Sequence, residues 1–166
     1  LAAIGDIMPL VNENRIFVKN GINSMKNDKL RPGLAELFAT LKINPESVNA
    51  TDLSWTITPS LNAAGRLGQA DVTLNLLISE DPKQRDIFAN KICELNEERK
   101  SLVNKAAFSV HDQALQSIQQ NDGKLCVIVD ESIHPGITGN FAGKLMQEHN
   151  VPAIVVTASE DIYKGS

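Results

Sequence analysis

Thr58-Pro59-Ser60-Leu61-Asn62-Ala63-Ala64-Gly65-Arg66-Leu67-Gly68 is the stretch around which the chain is organised, because helical patterns precede and follow it. Pro59 disfavours helical geometry at Thr58. Gly65 and Gly68 make a backbone turn and a close approach to another group easier. We therefore predict that this stretch is a loop, neither helix nor strand, between two helical segments.

The strongly polar side chains of this small, apolar stretch are those of Asn62 and Arg66. A guanidinium group suits a phosphate because its planar fork offers two parallel charge-assisted hydrogen bonds. The alternative is a helix-linking turn in which Arg66 holds a helix C-terminus or a buried carboxylate. The residues alone leave both interpretations open.

Composition and charge narrow the class of protein. The chain has 166 residues, 42% of them apolar and 22% charged, which is typical of one globular domain or two small ones. A net charge of −4 argues against a broadly basic coat for nucleic acid but not against a narrow site with a few arginines. Cys93 and Cys126 lack the spacing of a metal or redox motif and are typical of reduced thiols in a cytoplasmic protein.

No signal peptide and no apolar run of membrane-spanning length is visible, so we predict no membrane association. The chain begins with Leu1 inside an apolar run and ends at Lys164-Gly165-Ser166 without a polar tail. We expect it to be a segment of a longer protein.

Apolar residues recur at helical spacing through much of the chain. They predict helices over 14–26, 31–43, 49–55, 72–78 and 82–119, with a polar linker at 26–29. The last helix has one apolar stripe, so we expect it to bridge two lobes. Residues 125–129 and 151–156 are apolar and rich in β-branched side chains, and a helical pattern separates them. This order predicts a βαβ unit with a right-handed parallel crossover, and hence an α/β fold.

Two further positions are candidates for chemistry. Asp6 lies in an apolar segment, so its carboxylate must be paired, hydrogen-bonded or metal-bound; a helix cap and a metal ligand both fit. His134-Pro135-Gly136-Ile137-Thr138-Gly139 lies where a predicted strand ends and a helix begins, a position that favours anions. The alternative is a helix that Thr138 caps, with His134 facing solvent.

Several stretches together resemble one family. Residues 3–10, followed by Glu13-Asn14-Arg15, are similar to the fourth signature motif of the DHH phosphoesterases, which in the RecJ branch reads roughly TIADVVPL and then ENR. Residues 59–66 resemble the PRLNAAGR of that branch. Similarly, residues 133–139 resemble its WHPGVIG, residues 95–99 its LNxxR, and the closing residues the start of its GSxRS segment.

The resemblance implies a two-lobed, metal-dependent exonuclease that removes nucleotides from the 5′ end of single-stranded DNA in repair and recombination. It implies two Mn²⁺ or Mg²⁺ ions, with Asp6 as one ligand and the other ligands upstream of this chain. Arg66 would contact the phosphate near the metals and Asn62 would shape that loop. The second lobe would face the cleft with phosphate-binding residues His134, Gly136, Thr138, Gly139, Gly165 and Ser166.

The resemblance also implies a division of the chain. Residues 1–81 would be the C-terminal part of a DHH lobe, 82–120 a connecting helix, and 121–166 the start of a DHH-associated domain. Such a segment alone should be inactive. The pattern departs from the family at Ser60, Ile133 and Thr138, where an arginine, a tryptophan and an apolar residue are usual. A DHH-family phosphatase or short-oligonucleotide nuclease, and a non-catalytic nucleic-acid-binding module, are the alternatives.

Overall fold

A computed structural model describes residues 1–26, 30–159 and 162–166. These residues form two compact units, Leu1–Glu97 and Glu98–Ser166, and the boundary lies within one long helix. The predicted division at residues 81 and 120 stays a prediction. The linker predicted at 26–29 lies almost entirely outside the described residues.

The first unit is helical. Its helices are α1 (Ala2–Gly5), α2 (Asn12–Lys26), α3 (Pro32–Thr40), α4 (Ala50–Asp52), α5 (Thr58–Arg66), α6 (Ala70–Ile78) and the first part of α7 (Pro82–Ser109), with a 3₁₀ turn at Pro45–Ser47. Its core joins α3, α6 and α7 through residues such as Leu37, Phe38, Leu76 and Ile92, all at most 1% exposed. Gly33 permits the approach of α3 to α6, because a β-carbon there would collide with the Leu76 carbonyl.

The prediction of a loop over 58–68 is wrong. Asn49 caps α4 through a reciprocal capping box with Asp52, and the helix continues through a π-helical turn, Leu53–Ile57, into α5. Proline inside a helix removes a donor and crowds the carbonyl four residues earlier. The wider π turn places Pro59 near the start of α5, where the Thr58 N–H donates to the Leu53 carbonyl, five residues back.

The long helix predicted over 82–119 is interrupted once. α7 ends at Ser109 and α8 (His111–Gln120) follows, with Val110 between them at φ −107° and ψ 12°. Val110 is 1% exposed and packs in the core of the second unit. An apolar residue therefore occupies the break, and no proline or glycine at this point of the sequence indicates it.

The second unit confirms the α/β prediction. Strands β1 (Cys126–Val129) and β2 (Ala153–Ser159) pair in parallel, with α9 (Thr138–His149) in the crossover between them. A further strand, β3 (Ile162–Gly165), pairs antiparallel with β2 and gives the sheet order β1-β2-β3. The core contains Ile128, Phe141, Leu145 and Val155. Across the described residues, no helix has the length and hydropathy needed to span a bilayer.

Candidate functional site

Helix α5 has two chemically different faces. Ser60, Ala63 and Ala64 are fully buried, at helical spacing, and the two alanines pack against Leu95 of α7. Asn62 and Arg66, one turn apart, are exposed on the other side. Small side chains on the inner face let α5 lie close to α7, and the amide and guanidinium groups are thereby presented together to solvent.

The two glycines that flank Arg66 have different roles. Gly68 has φ +73°, a backbone conformation that favours glycine, and it follows the end of α5. Gly65 lies inside α5, is exposed, and has no atom within 4 Å of where a β-carbon would stand. The fold therefore needs glycine at position 68 but not at position 65, where it leaves open space beside Arg66.

Ser60 belongs to the buried face and does not leave a gap in a charged surface. Its Oγ donates to the Thr56 carbonyl at 2.7 Å and accepts from the Asn96 side-chain amide at 3.2 Å. Ser60 is 0% and Asn96 6% exposed. The substitution of the family's arginine thus puts a short hydroxyl at a packed junction between α5 and α7.

Asp6 does not start a helix. It is exposed and follows the C-terminus of α1, with its N–H donating to the Ala2 carbonyl at 2.8 Å. The preceding residue, Gly5, lies against the N-terminal end of α5: a β-carbon on Gly5 would lie 2.5 Å from Thr58 Cγ2. The interpretation of Asp6 as a helix-start cap is therefore wrong, and its carboxylate is available to a ligand next to α5.

The described residues do not form a complete metal site. Within 1–26, 30–159 and 162–166, no three histidine, cysteine, aspartate or glutamate side chains converge on one point. The exposed Asp6 carboxylate suits a hard divalent cation as one ligand. The described part of the chain thus offers one ligand and does not by itself build the two-metal site that the resemblance implies.

In the second unit, His134 caps the turn that precedes α9. Its Nδ1 accepts a hydrogen bond from the Gly136 N–H at 3.0 Å, at the start of the 3₁₀ turn Pro135–Ile137. Because Nδ1 accepts, the neutral ring carries its hydrogen on Nε2. The exposed imidazole is therefore held in one orientation by the backbone that it caps.

Thr138 is not the N-cap of α9, which corrects the alternative offered from the sequence. It is the first residue of α9 and is 5% exposed. Its hydroxyl donates to the Pro135 carbonyl at 3.1 Å and lies 3.3 Å from Ser166 Oγ. A β-carbon on Gly139 would lie 3.4 Å from the same Ser166 oxygen. The structure thus brings Thr138, Gly139 and Ser166 together.

Gly165 and Ser166 reach this position through strand pairing. Ser166 exchanges two backbone hydrogen bonds with Val155, at 2.8 and 3.0 Å. A β-carbon on Gly165 would lie 2.6 Å from the Val155 carbonyl, so glycine there is a requirement of packing. Ile133, which replaces the family's tryptophan, is 2% exposed and belongs to the core. It therefore offers no stacking surface.

Sequence reasoning missed two residues near α5. Thr58 contacts Gly5 and is one turn before Asn62, and Asn96 holds Ser60. The spacing of Thr58, Asn62 and Arg66 at every fourth position was visible in the sequence, but the loop prediction hid it. Asn96 was part of the LNxxR match at residues 95–99, but that match did not indicate a buried contact with Ser60.

Comparison with known proteins gives a consistent result. The chain is 35% identical to the single-stranded-DNA-specific exonuclease RecJ of Bacillus subtilis, over the whole chain and 21% of that protein. It is 28% identical to the RecJ of Escherichia coli, over the whole chain and 29% of that protein. The chain therefore spans less than a third of these relatives. No family model matches the chain.

Solved structures agree with the sequence relatives. RecJ from Thermus thermophilus in complex with Mn²⁺ matches with a TM-score of 0.81 and 27% identity, over 93% of this chain and 22% of that one. The Mg²⁺ complex of RecJ from the same organism matches with a TM-score of 0.76 and 26% identity, over 93% of this chain and 24% of that one.

The helical unit, the exposed polar face of α5 and the parallel crossover define a two-unit α/β segment, which is the class predicted from the sequence. The matches cover the whole chain in sequence and 93% of it in fold. Within that class, the chain is a RecJ-type segment.

Proposed function

We propose that this chain is part of a metal-dependent exonuclease that hydrolyses phosphodiester bonds of single-stranded DNA from the 5′ end, in DNA repair and recombination. The observation that carries the proposal is the exposed pair Asn62 and Arg66 on α5, beside the segment that bears Asp6, in a chain similar to RecJ exonucleases along its whole length. A DNA substrate and reduced cysteines correspond to a cytoplasmic protein.

Arg66 stabilises the negative charge that develops on the phosphoryl oxygens during hydrolysis. Its exposed guanidinium is at the C-terminal end of α5, and the missing side chain at Gly65 lets a phosphate approach it. Asn62, one turn earlier, offers its side-chain amide N–H as a donor to a neighbouring oxygen of the same DNA backbone. Preorganised donors of this kind lower the barrier because they need not reorganise when the charge forms.

Asp6 contributes one carboxylate ligand to a pair of Mn²⁺ or Mg²⁺ ions. Two such ions would clamp the attacking and leaving oxygens and lower the pKa of a bound water. The remaining ligands come from segments that RecJ relatives have and this chain does not cover. The matched RecJ structures contain Mn²⁺ or Mg²⁺, which supports the choice of metal.

The second unit binds the sugar–phosphate backbone of the strand. Its cluster of Thr138, Gly139 and Ser166 places the exposed Ser166 hydroxyl next to the first turn of α9, whose N–H groups favour anions. His134 and Gly136 hold the turn before that helix, and Gly165 holds Ser166 against β2. We expect these contacts to be insensitive to base sequence.

The test uses a full-length protein that carries this chain together with the remaining segments of its RecJ relatives. With Mn²⁺, it should release nucleotides from 5′-phosphorylated single-stranded DNA, and Asp6→Ala should abolish release without lowering the melting temperature, because the side chain is exposed. The 166-residue chain alone should release none, since its described residues bring no three metal-ligating side chains together.

The outcomes separate the alternatives. Hydrolysis of short oligonucleotides or phosphomonoesters, but not of long single strands, would indicate a phosphatase or short-oligonucleotide nuclease. Binding of single strands without metal-dependent release would indicate a non-catalytic binding module. Full activity of Asp6→Ala at saturating Mn²⁺ would remove Asp6 from the active site.

A further inference from the structure

Thr58 has a hydroxyl group with no partner. Its Oγ1 is shielded from solvent and makes no hydrogen bond among the described residues. A threonine in a helix usually bonds the carbonyl four residues earlier, as Thr40 does with the Glu36 carbonyl at 2.9 Å. A buried hydroxyl without a partner costs free energy, so each one in a native structure calls for an explanation.

The position of this hydroxyl suggests what it serves. Thr58 begins the face of α5 on which Asn62 and Arg66 follow at successive turns. On its other side, the ideal β-carbon position of Gly5 lies 3.5 Å from Thr58 Oγ1, so the hydroxyl lies over the residue that precedes Asp6. Asp6 is the acidic residue of this segment; the next in the chain is Glu13.

We propose that the Thr58 hydroxyl donates a hydrogen bond to the Asp6 carboxylate in the assembled site, and that Thr58 is a positioning residue for Asp6. This inference rests on the proposed function. A carboxylate that ligates a metal is itself held by hydrogen bonds from neighbouring groups, which fix its orientation. A donor kept unpaired in the free protein is ready for a carboxylate that turns toward it.

The contact with Gly5 also gives Thr58 a packing role, through its methyl group. Its Cγ2 fills the space above Gly5, so the methyl group sets how closely α1 approaches α5. The hydroxyl and the methyl group are therefore expected to act separately. Valine keeps the shape and loses the donor, whereas serine keeps the donor and loses the methyl group.

The experiment compares Thr58→Val, Thr58→Ser and the control Thr40→Val in the full-length protein. Thr40 is a partly buried threonine of the same unit whose hydroxyl is bonded within its own helix. For each variant, Mn²⁺ affinity is measured by the electron paramagnetic resonance signal of free Mn²⁺, alongside the melting temperature without metal and kcat on single-stranded DNA.

We expect Thr58→Val to melt at a higher temperature than wild type and to bind Mn²⁺ about 10-fold or more weakly, the usual effect of losing a hydrogen bond to a metal ligand. Its kcat should fall as well. Thr58→Ser should keep wild-type Mn²⁺ affinity, because the donor remains. Thr40→Val should change neither Mn²⁺ affinity nor kcat.

Wild-type Mn²⁺ affinity and kcat in Thr58→Val would overturn the inference and leave the proposed function intact. The same would follow if Thr58→Ser lost as much Mn²⁺ affinity as Thr58→Val, since shape and not the hydroxyl would then decide. If the wild-type protein itself neither bound Mn²⁺ nor released nucleotides, the proposed function and this inference would both fall.

Discussion

Ser60 Oγ accepts a hydrogen bond from the Asn96 side-chain amide at 3.2 Å, and both residues are buried. The bond joins α5 to α7 across 36 residues of sequence. Ser60 lies on the side of α5 opposite to Asn62 and Arg66, so this bond fixes the helix that presents them. A buried polar junction of this kind specifies one packing arrangement, because any slip of α5 along α7 would break the hydrogen bond between the two side chains.

We therefore predict that Ser60→Ala lowers the free energy of unfolding of the first unit by about 0.5–1.5 kcal/mol, the net contribution of a typical hydrogen bond, because the buried bond to Asn96 is lost. The measurement is urea unfolding of the 166-residue chain. Ser54→Ala is the matched control: its hydroxyl bonds the Ala50 carbonyl at 2.8 Å within the same helical segment. The control should change stability by less than about 0.5 kcal/mol. Equal effects of the two variants would contradict a role for the junction.

The loop predicted over residues 58–68 was wrong because the prediction used local propensity and left out burial. Pro59 and two glycines are each a valid signal against helix, and the loop prediction added them together. In the structure, the π turn accommodates Pro59, Gly65 is tolerated in an exposed helix position, and Gly68 follows the helix end. The alternation of small buried and polar exposed positions was the stronger signal, because burial against α7 outweighs local propensity.

Substitution of Gly65 by alanine should affect stability and activity in opposite directions. Gly65→Ala should raise the free energy of unfolding by about 0.5–1 kcal/mol, since alanine is the better helix former and the new β-carbon meets nothing within 4 Å. In the full-length protein the same variant should lower kcat/KM on single-stranded DNA, because the methyl group occupies the space beside Arg66. The measurements are urea unfolding and initial rates of nucleotide release.

Gly68→Ala is the control for that experiment. It also meets no atom within 4 Å, but its φ of +73° strains any residue with a β-carbon. It should therefore lower stability by about 1–2 kcal/mol. A Gly65→Ala protein that is more stable and fully active would show that no substrate group approaches that part of α5.

The candidate site was predictable in part, and the reason differs between residues. Asn62 and Arg66 were found because exposed polar groups in a small, apolar stretch stand out in one dimension. The resemblance named Thr138, Gly139 and Ser166 together, but no pattern in the residues themselves predicted their contact, because it depends on the antiparallel return of β3 along β2, which brings Ser166 beside α9. The sequence predicted the parallel crossover from two apolar runs, whereas the short β3 has only exposed side chains and no comparable pattern.

We predict that the buried thiol of Cys126 makes the free energy of unfolding decrease in alkaline solution. It is fully buried in β1, and burial raises the pKa of its thiol above the ordinary value of 9.0. Above that value the unfolded chain loses a proton that the folded chain keeps, so the unfolded state binds fewer protons and the free energy of unfolding decreases as pH rises. Its contribution is fully present below pH 9 and is lost as pH rises through the pKa of the folded state.

The measurement is the slope of unfolding free energy against pH between about pH 8 and about pH 10.5, a range that brackets the ordinary thiol pKa of 9.0. Cys126→Ala removes this group and should give a shallower decline, although its stability at neutral pH is lower because a cavity is left. Cys93→Ala, at a partly buried position, is the control. Parallel slopes for wild type and Cys126→Ala would assign the decline to other groups.

Substitutions of Arg66 distinguish a catalytic role, in which its guanidinium binds a phosphate, from a structural role at the end of α5. If its guanidinium forks onto a phosphate in the transition state, lysine cannot replace it, because lysine keeps the charge but loses the planar pair of donors. In the full-length protein, Arg66→Lys should lower kcat and Arg66→Ala should lower it further, by about 3 kcal/mol in activation free energy, the cost of one preorganised donor. Arg66 is exposed in the last turn of α5, so neither variant should shift the melting temperature by more than about 2 °C, a shift that corresponds to less than about 1 kcal/mol.

If Arg66 instead serves to hold the end of α5, both variants will melt at a lower temperature while kcat per folded molecule stays at the wild-type value. Measuring kcat and melting temperature on both variants decides between the two roles, and a loss of stability without a loss of rate would remove Arg66 from the active site.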